Sequence, residues 1–142
     1  GFNMPVIYFN RSPKEVDFPA RQVDTLSQLM SQADFVVVTT PGGADTTKLI
    51  DAAALAEMKP TGIFVNISRG EVVDETALIE ALEQGRIAGA GLDVYEFEPK
   101  VPDALCAMEN VTLLPHLGTA VEKVRVDMGM MALENLEFTN QF

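Results

Sequence analysis

The sequence predicts an α/β fold, a doubly wound parallel sheet with helices between successive strands. Three observations carry this. Short β-branched and aromatic runs recur without polar alternation, as in strands buried on both faces. Between them lie segments with apolar residues at helical spacing, opened by Asp and closed by Gly or Pro. The 142-residue composition is globular, 47% apolar and 22% charged, with mean hydropathy +0.13.

The elements follow in order. Residues 5–9, with Val6, Ile7, Tyr8 and Phe9, read as a buried strand ended by Asn10, Arg11, Ser12 and Pro13. Asp24 is placed to cap a helix carrying Leu26, Leu29, Met30 and Ala33. Residues 35–39 form a second strand, closed by Pro41, Gly42 and Gly43. Asp51 caps a short helix through Met58, and Pro60 stops it. Residues 62–67 are a third strand. Asp74 caps a helix carrying Ala77, Leu78, Ala81 and Leu82, with Gly85 just past its end. Residues 88–94 are a fourth strand, built of small residues that let neighbours approach, and residues 111–114 a fifth. A last helix runs from about residue 119 to about residue 135. Residues 95–110 read as a long proline-containing loop.

Composition excludes several classes. Ten basic against 21 acidic residues leave a net charge of −11, which argues against nucleic acid or an anionic membrane as partner. The negative excess falls almost wholly after residue 70, and the first thirty residues are balanced. No apolar run nears the roughly 18 residues of a spanning helix. No charged-then-apolar run opens these residues, so no secretory signal is expected. The single cysteine, Cys106, cannot make an internal disulfide, so a reducing cytoplasmic setting is expected.

In open α/β sheets ligands bind outside the carboxyl ends of the strands. Asn10, Arg11 and Ser12 follow the first strand here, and Thr40 and Pro41 the second. Ser68, Arg69 and Gly70 follow the third; Asp93, Glu96 and Glu98 end or follow the fourth; His116 follows the fifth. His, Arg and carboxylates thus converge on one sheet edge. The histidine is the group whose charge changes near neutral pH, and a carboxylate partner fixes its tautomer. An arginine offers a fork to a substrate carboxylate. The set suits proton transfer to or from an oxygen of a small anionic substrate.

Each residue also has a blander reading. His116 could be a satisfied structural residue, Arg69 a surface ion-pair partner, and Glu96 and Glu98 solvated charges. Asp51 and Asp74 read as helix caps. Met128, Met130 and Met131 read as core or interface filler, and Cys106 as a small loop residue. The sequence carries no Cys/His metal spacing, no nucleophile elbow and no P-loop, so no metal is expected.

Five stretches stand in a telling order: LAEMKP at 55–60, VNISRG at 65–70, VVDE at 72–75, GAGLDV at 89–94 followed by Glu98 and Pro99, and LPHLG at 114–118. Together they resemble the D-isomer-specific 2-hydroxyacid dehydrogenases, which include glyoxylate/hydroxypyruvate reductases, phosphoglycerate dehydrogenases and the C-terminal-binding-protein corepressors. The resemblance implies a Rossmann-like nicotinamide dinucleotide domain with a catalytic trio of Arg69, Glu98 and His116. It implies that His116 protonates the keto oxygen, Glu98 holds the histidine, and Arg69 binds the substrate carboxylate and carbonyl. Asp93 is then the aspartate near the nicotinamide carboxamide. Glu98 speaks against the formate dehydrogenase branch. The activity implied is reduction of a small 2-oxo acid to a D-2-hydroxy acid, in a homodimer. A dinucleotide-sensing corepressor of the same fold stays open as an alternative. A receiver-like signalling domain fits less well, because no early strand ends in an acidic cluster.

By the same resemblance a Gly-x-Gly-x-x-Gly loop precedes these residues, and residues 1–4 read as the end of the helix after it. Residues 1–142 are then an incomplete dinucleotide-binding domain lacking the first strand and its Gly-rich loop, with the last helix leading towards a substrate domain. The expected sheet order is 3-2-1-4-5-6, the first strand lying between the strands at 5–9 and 62–67. Cofactor choice follows from the turn after residue 9. An acidic residue there would bind a ribose 2′-hydroxyl, whereas an arginine accommodates a 2′-phosphate. Asn10, Arg11 and Ser12 point to NADP, with NAD as the alternative. Thr40 and Pro41 are assigned to the cofactor with them.

Overall fold

The computed structural model describes residues 3–139. Strands β1 (Val6–Tyr8), β2 (Ala20–Gln22), β3 (Phe35–Val38), β4 (Ile63–Asn66), β5 (Gly89–Leu92) and β6 (Val111–Leu113) alternate with helices α1 (Leu26–Gln32), α2 (Ala52–Ala56), α3 (Glu75–Glu83), α4 (Asp103–Cys106) and α5 (Glu122–Thr139). All ladders are parallel. They form two sheets, β1-β2 and β3-β4-β5-β6. The fold is the expected Rossmann-like α/β arrangement of parallel strands and helices.

Caps follow the chemistry of the side chains. Asp51 Oδ1 accepts from the amide of Ala54 at 2.9 Å, and Asp74 Oδ1 from that of Ala77 at 3.1 Å. Gly85 follows α3 at φ 62°. Helix α1 differs from expectation: Thr25, not Asp24, is its cap, its hydroxyl accepting from Gln28 N at 3.1 Å. Strand β2 was not legible in the sequence. It holds one apolar residue among Arg21 and Gln22 and exists because β1 offers it a ladder. Residues 95–110 are not all loop, since α4 lies within them and buries Leu105 in the core.

The sheet order corrects one expectation. Strand β4 is flanked on both sides, by β3 and β5, so among the described residues β3, not β4, stands at an edge of its sheet. The short crossover through α2 places β4 directly beside β3, as consecutive parallel strands usually lie. Among the described residues β1 pairs only with β2, and β3 only with β4. Cover on both faces is met on one face only. Val36, Val38, Phe64, Ala90 and Leu92 are buried with Met30, Leu55, Leu78 and Leu82 of α1–α3. The opposite face leaves Phe35, Val37 and Ile67 exposed. On β5 the small residues do admit close neighbours: a Cβ on Gly89 would lie 2.5 Å from the Asn110 carbonyl oxygen.

The two ends of the chain stand apart from this core. Gly1 and Phe2 lie outside the described residues. Asn3 has φ 52°, a conformation common where helices end, and Met4 has no helical structure. Helix α5 starts three residues later than expected and runs to Thr139. Met128, Met130 and Met131 are more than half exposed, so they are not core. No helix among the described residues is long and apolar enough to cross a membrane.

Candidate active site

The carboxyl ends of β4, β5 and β6 carry Arg69, Glu98 and His116. Asn66 shapes the first of these turns. Its side chain is buried at the end of β4. Oδ1 accepts from the amide and hydroxyl of Ser68, both at 3.0 Å, and Nδ2 donates to the Arg69 carbonyl at 3.0 Å. The guanidinium of Arg69 donates back to the Ser68 carbonyl at 2.6 Å, and the residue itself is exposed. Asn66 was missed by sequence reasoning. Its one signal was a buried-strand position occupied by an amide.

The turn after β4 meets the loop after β5 through Gly70. A Cβ there would lie 1.9 Å from the carbonyl carbon and oxygen of Tyr95 and 2.4 Å from the amide of Glu96. Only a residue without a side chain lets these two backbones touch. The contact is reinforced by Glu75, at the start of α3, whose Oε2 accepts from the Glu96 amide at 3.2 Å. Burial pushes the Glu75 carboxyl up, and the Glu96 charge adds to this against the hydrogen bond from the Glu96 amide.

Glu98 and His116 are in direct contact. Oε2 of Glu98 lies 2.8 Å from Nδ1 of His116, and Oε1 accepts from the Tyr95 amide at 3.1 Å. Burial pushes the Glu98 carboxyl up. The hydrogen bonds from His116 and the Tyr95 amide, with the His116 and Arg69 charges, outweigh it and leave the group below its ordinary value. A carboxylate can only accept, so Nδ1 carries a proton and Nε2 is left for chemistry. His116 has φ 55°. Asp93, buried at the end of β5, accepts from the amides of Leu117 at 2.7 Å and Gly118 at 3.1 Å. Its observed work is to hold the loop just past the histidine.

Two hollows open on this edge. One, of about 690 Å³, lies over the ends of β3 and β4 and is walled by Thr40, Pro41, Ser68, Arg69 and Glu71. The Glu71 carboxylate there accepts from the Gly43 amide at 3.0 Å. The other, of about 570 Å³, is walled by Glu98 and His116 with apolar Pro99, Val101, Leu113 and Pro115. Arg69 therefore lies in the wall of a different hollow from Glu98 and His116, while its charge still acts on Glu98. Asn10 turns the chain after β1, its amide donating to the Ser12 carbonyl at 2.8 Å. Arg11 and Ser12 beside it are exposed.

Residues 1–118 match the family model described as D-isomer specific 2-hydroxyacid dehydrogenase, NAD binding domain. The chain belongs to this family. Within it, the chain is 46% identical over 140 residues to glyoxylate/hydroxypyruvate reductase B of Pectobacterium carotovorum, covering 96% of this chain and 43% of that one. It is 42% identical over 139 residues to the glyoxylate reductase of Pyrococcus furiosus, covering 96% of this chain and 41% of that one. The NADPH-dependent glyoxylate/hydroxypyruvate reductase of Sinorhizobium meliloti, solved in complex with NADP and malonate, superposes with a TM-score of 0.91 at 40% identity. That match covers 96% of this chain and 42% of the other. The chain thus spans less than half the length of the family members it matches.

The donor set of this family domain fits part of a dinucleotide. The 690 Å³ hollow offers hydroxyls and a cation at the strand ends, and Arg11 offers a cation at the end of β1. Residues 1–142 contain no Gly-x-Gly-x-x-Gly run to cradle a pyrophosphate.

Proposed function

We propose that these residues serve a reductase that converts a small 2-oxo acid of the glyoxylate/hydroxypyruvate class into a D-2-hydroxy acid with NADPH. The observation that carries the reading is the 2.8 Å contact between Glu98 and His116, on the same sheet edge as Arg69. When bound, a reduced nicotinamide would supply hydride to the carbonyl carbon. His116, with Nδ1 held by Glu98, presents Nε2 as the donor of a proton to the carbonyl oxygen. Glu98 stabilises the protonated ring before transfer and keeps its orientation after. Arg69 pairs with the substrate carboxylate. Thr40 and Pro41 would line the cofactor's path, and Asn10, Arg11 and Ser12 would receive the adenosine ribose, Arg11 facing a 2′-phosphate. Asp93 would lie towards the carboxamide while holding residues 117 and 118. Similarity to reductases named for glyoxylate and hydroxypyruvate supports the substrate class. The reading includes a homodimer, for which the apolar side chains exposed along α5 offer a surface. It places the protein in the cytoplasm, where a single cysteine suits a reducing medium.

The test is reductase turnover of glyoxylate and hydroxypyruvate with each cofactor, in the full-length protein and in its His116→Ala variant, since residues 1–142 alone are expected to be inactive. Removing the proton donor is expected to lower kcat by about 10²–10⁴-fold. Unchanged turnover in the variant would remove His116 from the role.

A further inference from the structure

One buried tyrosine touches the surroundings of all three candidate catalytic residues. Tyr95 is 6% exposed. Its backbone carbonyl lies against Gly70, next to Arg69. Its amide donates to Glu98 Oε1 at 3.1 Å. Its hydroxyl donates to the carbonyl of Leu114 at 2.8 Å and lies 3.2 Å from that of Leu92. Leu114 stands two residues before His116, and its own amide donates to Leu92 at 2.8 Å. On the far side of His116, Asp93 holds the amides of Leu117 and Gly118.

The backbone around the histidine is thus tied at both ends to the segment after β5. Between the ties His116 sits at φ 55°, a left-handed conformation that persists in a non-glycine residue only where the surroundings hold it. Packing alone does not call for the phenolic oxygen. A phenyl ring would fill the same space, and the oxygen's one proton goes to a backbone acceptor beside the site.

We propose that the Tyr95 hydroxyl is a positioning group: by holding the Leu114 carbonyl it keeps His116 in the left-handed conformation that lays Nδ1 on Glu98. Tyr95 touches neither substrate nor cofactor and acts through the backbone. The kinetic consequence rests on the proposed role of His116 as proton donor; the geometric consequence does not.

Tyr95→Phe tests both. His116 is the only histidine of the chain, so its ring signals in a ¹⁵N NMR spectrum are unambiguous. Loss of one neutral hydrogen bond is expected to quicken solvent exchange of the Nδ1 proton by about five- to tenfold. It is expected to lower kcat by a similar factor while KM for the oxo acid stays within about twofold. Unchanged ring exchange overturns the proposal whatever the activity. So does a lowered melting temperature with ring exchange and kcat both unchanged, the pattern of a merely structural tyrosine. A full-length wild-type protein that turns over no oxo acid would overturn the reductase reading, and ring exchange would still decide the role of Tyr95.

Discussion

The loops after β4, β5 and β6 are tied to one another, whereas the turn after β1 is tied only to its own neighbourhood. In the first region, bonds run from the Glu96 amide to Glu75, from Tyr95 to Leu114, from Leu117 and Gly118 to Asp93, and between Glu98 and His116. In the second, Asn10 bonds Ser12, and Gln22 donates to the Asn10 carbonyl at 2.9 Å. Arg11 and Ser12 stand exposed. The difference matches what each region would do under the proposed function. Proton transfer depends on short, aligned contacts, and a small misplacement is costly. Charge recognition tolerates slack, because Coulomb attraction falls only gradually with distance.

The comparison breaks most visibly at Gly70. In Gly70→Ala the new methyl meets the backbone of Tyr95 and Glu96, which no side-chain rotation relieves. We expect a loss of about 3 kcal/mol, seen as a fall of about 10 °C in melting temperature, together with reduced turnover as the Arg69 turn parts from the Glu98 loop. A melting temperature equal to wild type would show that this contact does not lock the loops.

Arg11→Ala probes the looser region. The Michaelis constant for NADPH should rise about tenfold, that for NADH should hold, and the melting temperature should move by no more than about 1 °C. Equal effects on both cofactors, in steady-state kinetics, would sever Arg11 from the 2′-phosphate.

The smallest effect lies in pH dependence. The Glu98 carboxyl is held below its ordinary value of 4.5 in the fold. Its stabilising contribution is therefore full above that value and is lost as pH falls through the depressed one. Glu75 acts with the opposite sign: its raised carboxyl favours the native state in acid, and the advantage fades as pH rises through its folded value. Melting curves of wild type and Glu98→Gln should accordingly differ by about 2 °C near neutrality and converge in acid, since a partly exposed pair contributes under about 1 kcal/mol. A difference independent of pH would deny Glu98 its ionised partner role.

Much of this was legible in residue order. The alternation of strand and helix, the Asp51 and Asp74 caps, and the placing of polar residues after strands all follow from side-chain chemistry acting over a few residues. Strand β2 and the cap at Thr25 were not legible. A three-residue polar strand has no periodicity of its own, and Asp24 and Thr25 are both good caps, chosen between by where the chain enters the helix. The neighbours of β4 were misjudged because strand order depends on pairing between segments far apart in sequence.

By itself the sequence determined that five apolar strands and four helices would alternate in a parallel α/β fold, and that Arg69, Glu98 and His116 would stand on its carboxyl edge. Periodicity and capping are local, and parallel strands all end on the same side. Tertiary structure alone decided that β3 rather than β4 ends its sheet among the described residues, that Arg69 and the Glu98–His116 pair wall different hollows, and that Gly70 must be bare. It also decided that Asn66, Glu75, Asp93 and Tyr95 brace the loops. Those facts depend on distances between backbones brought together by folding, and no single segment carries them.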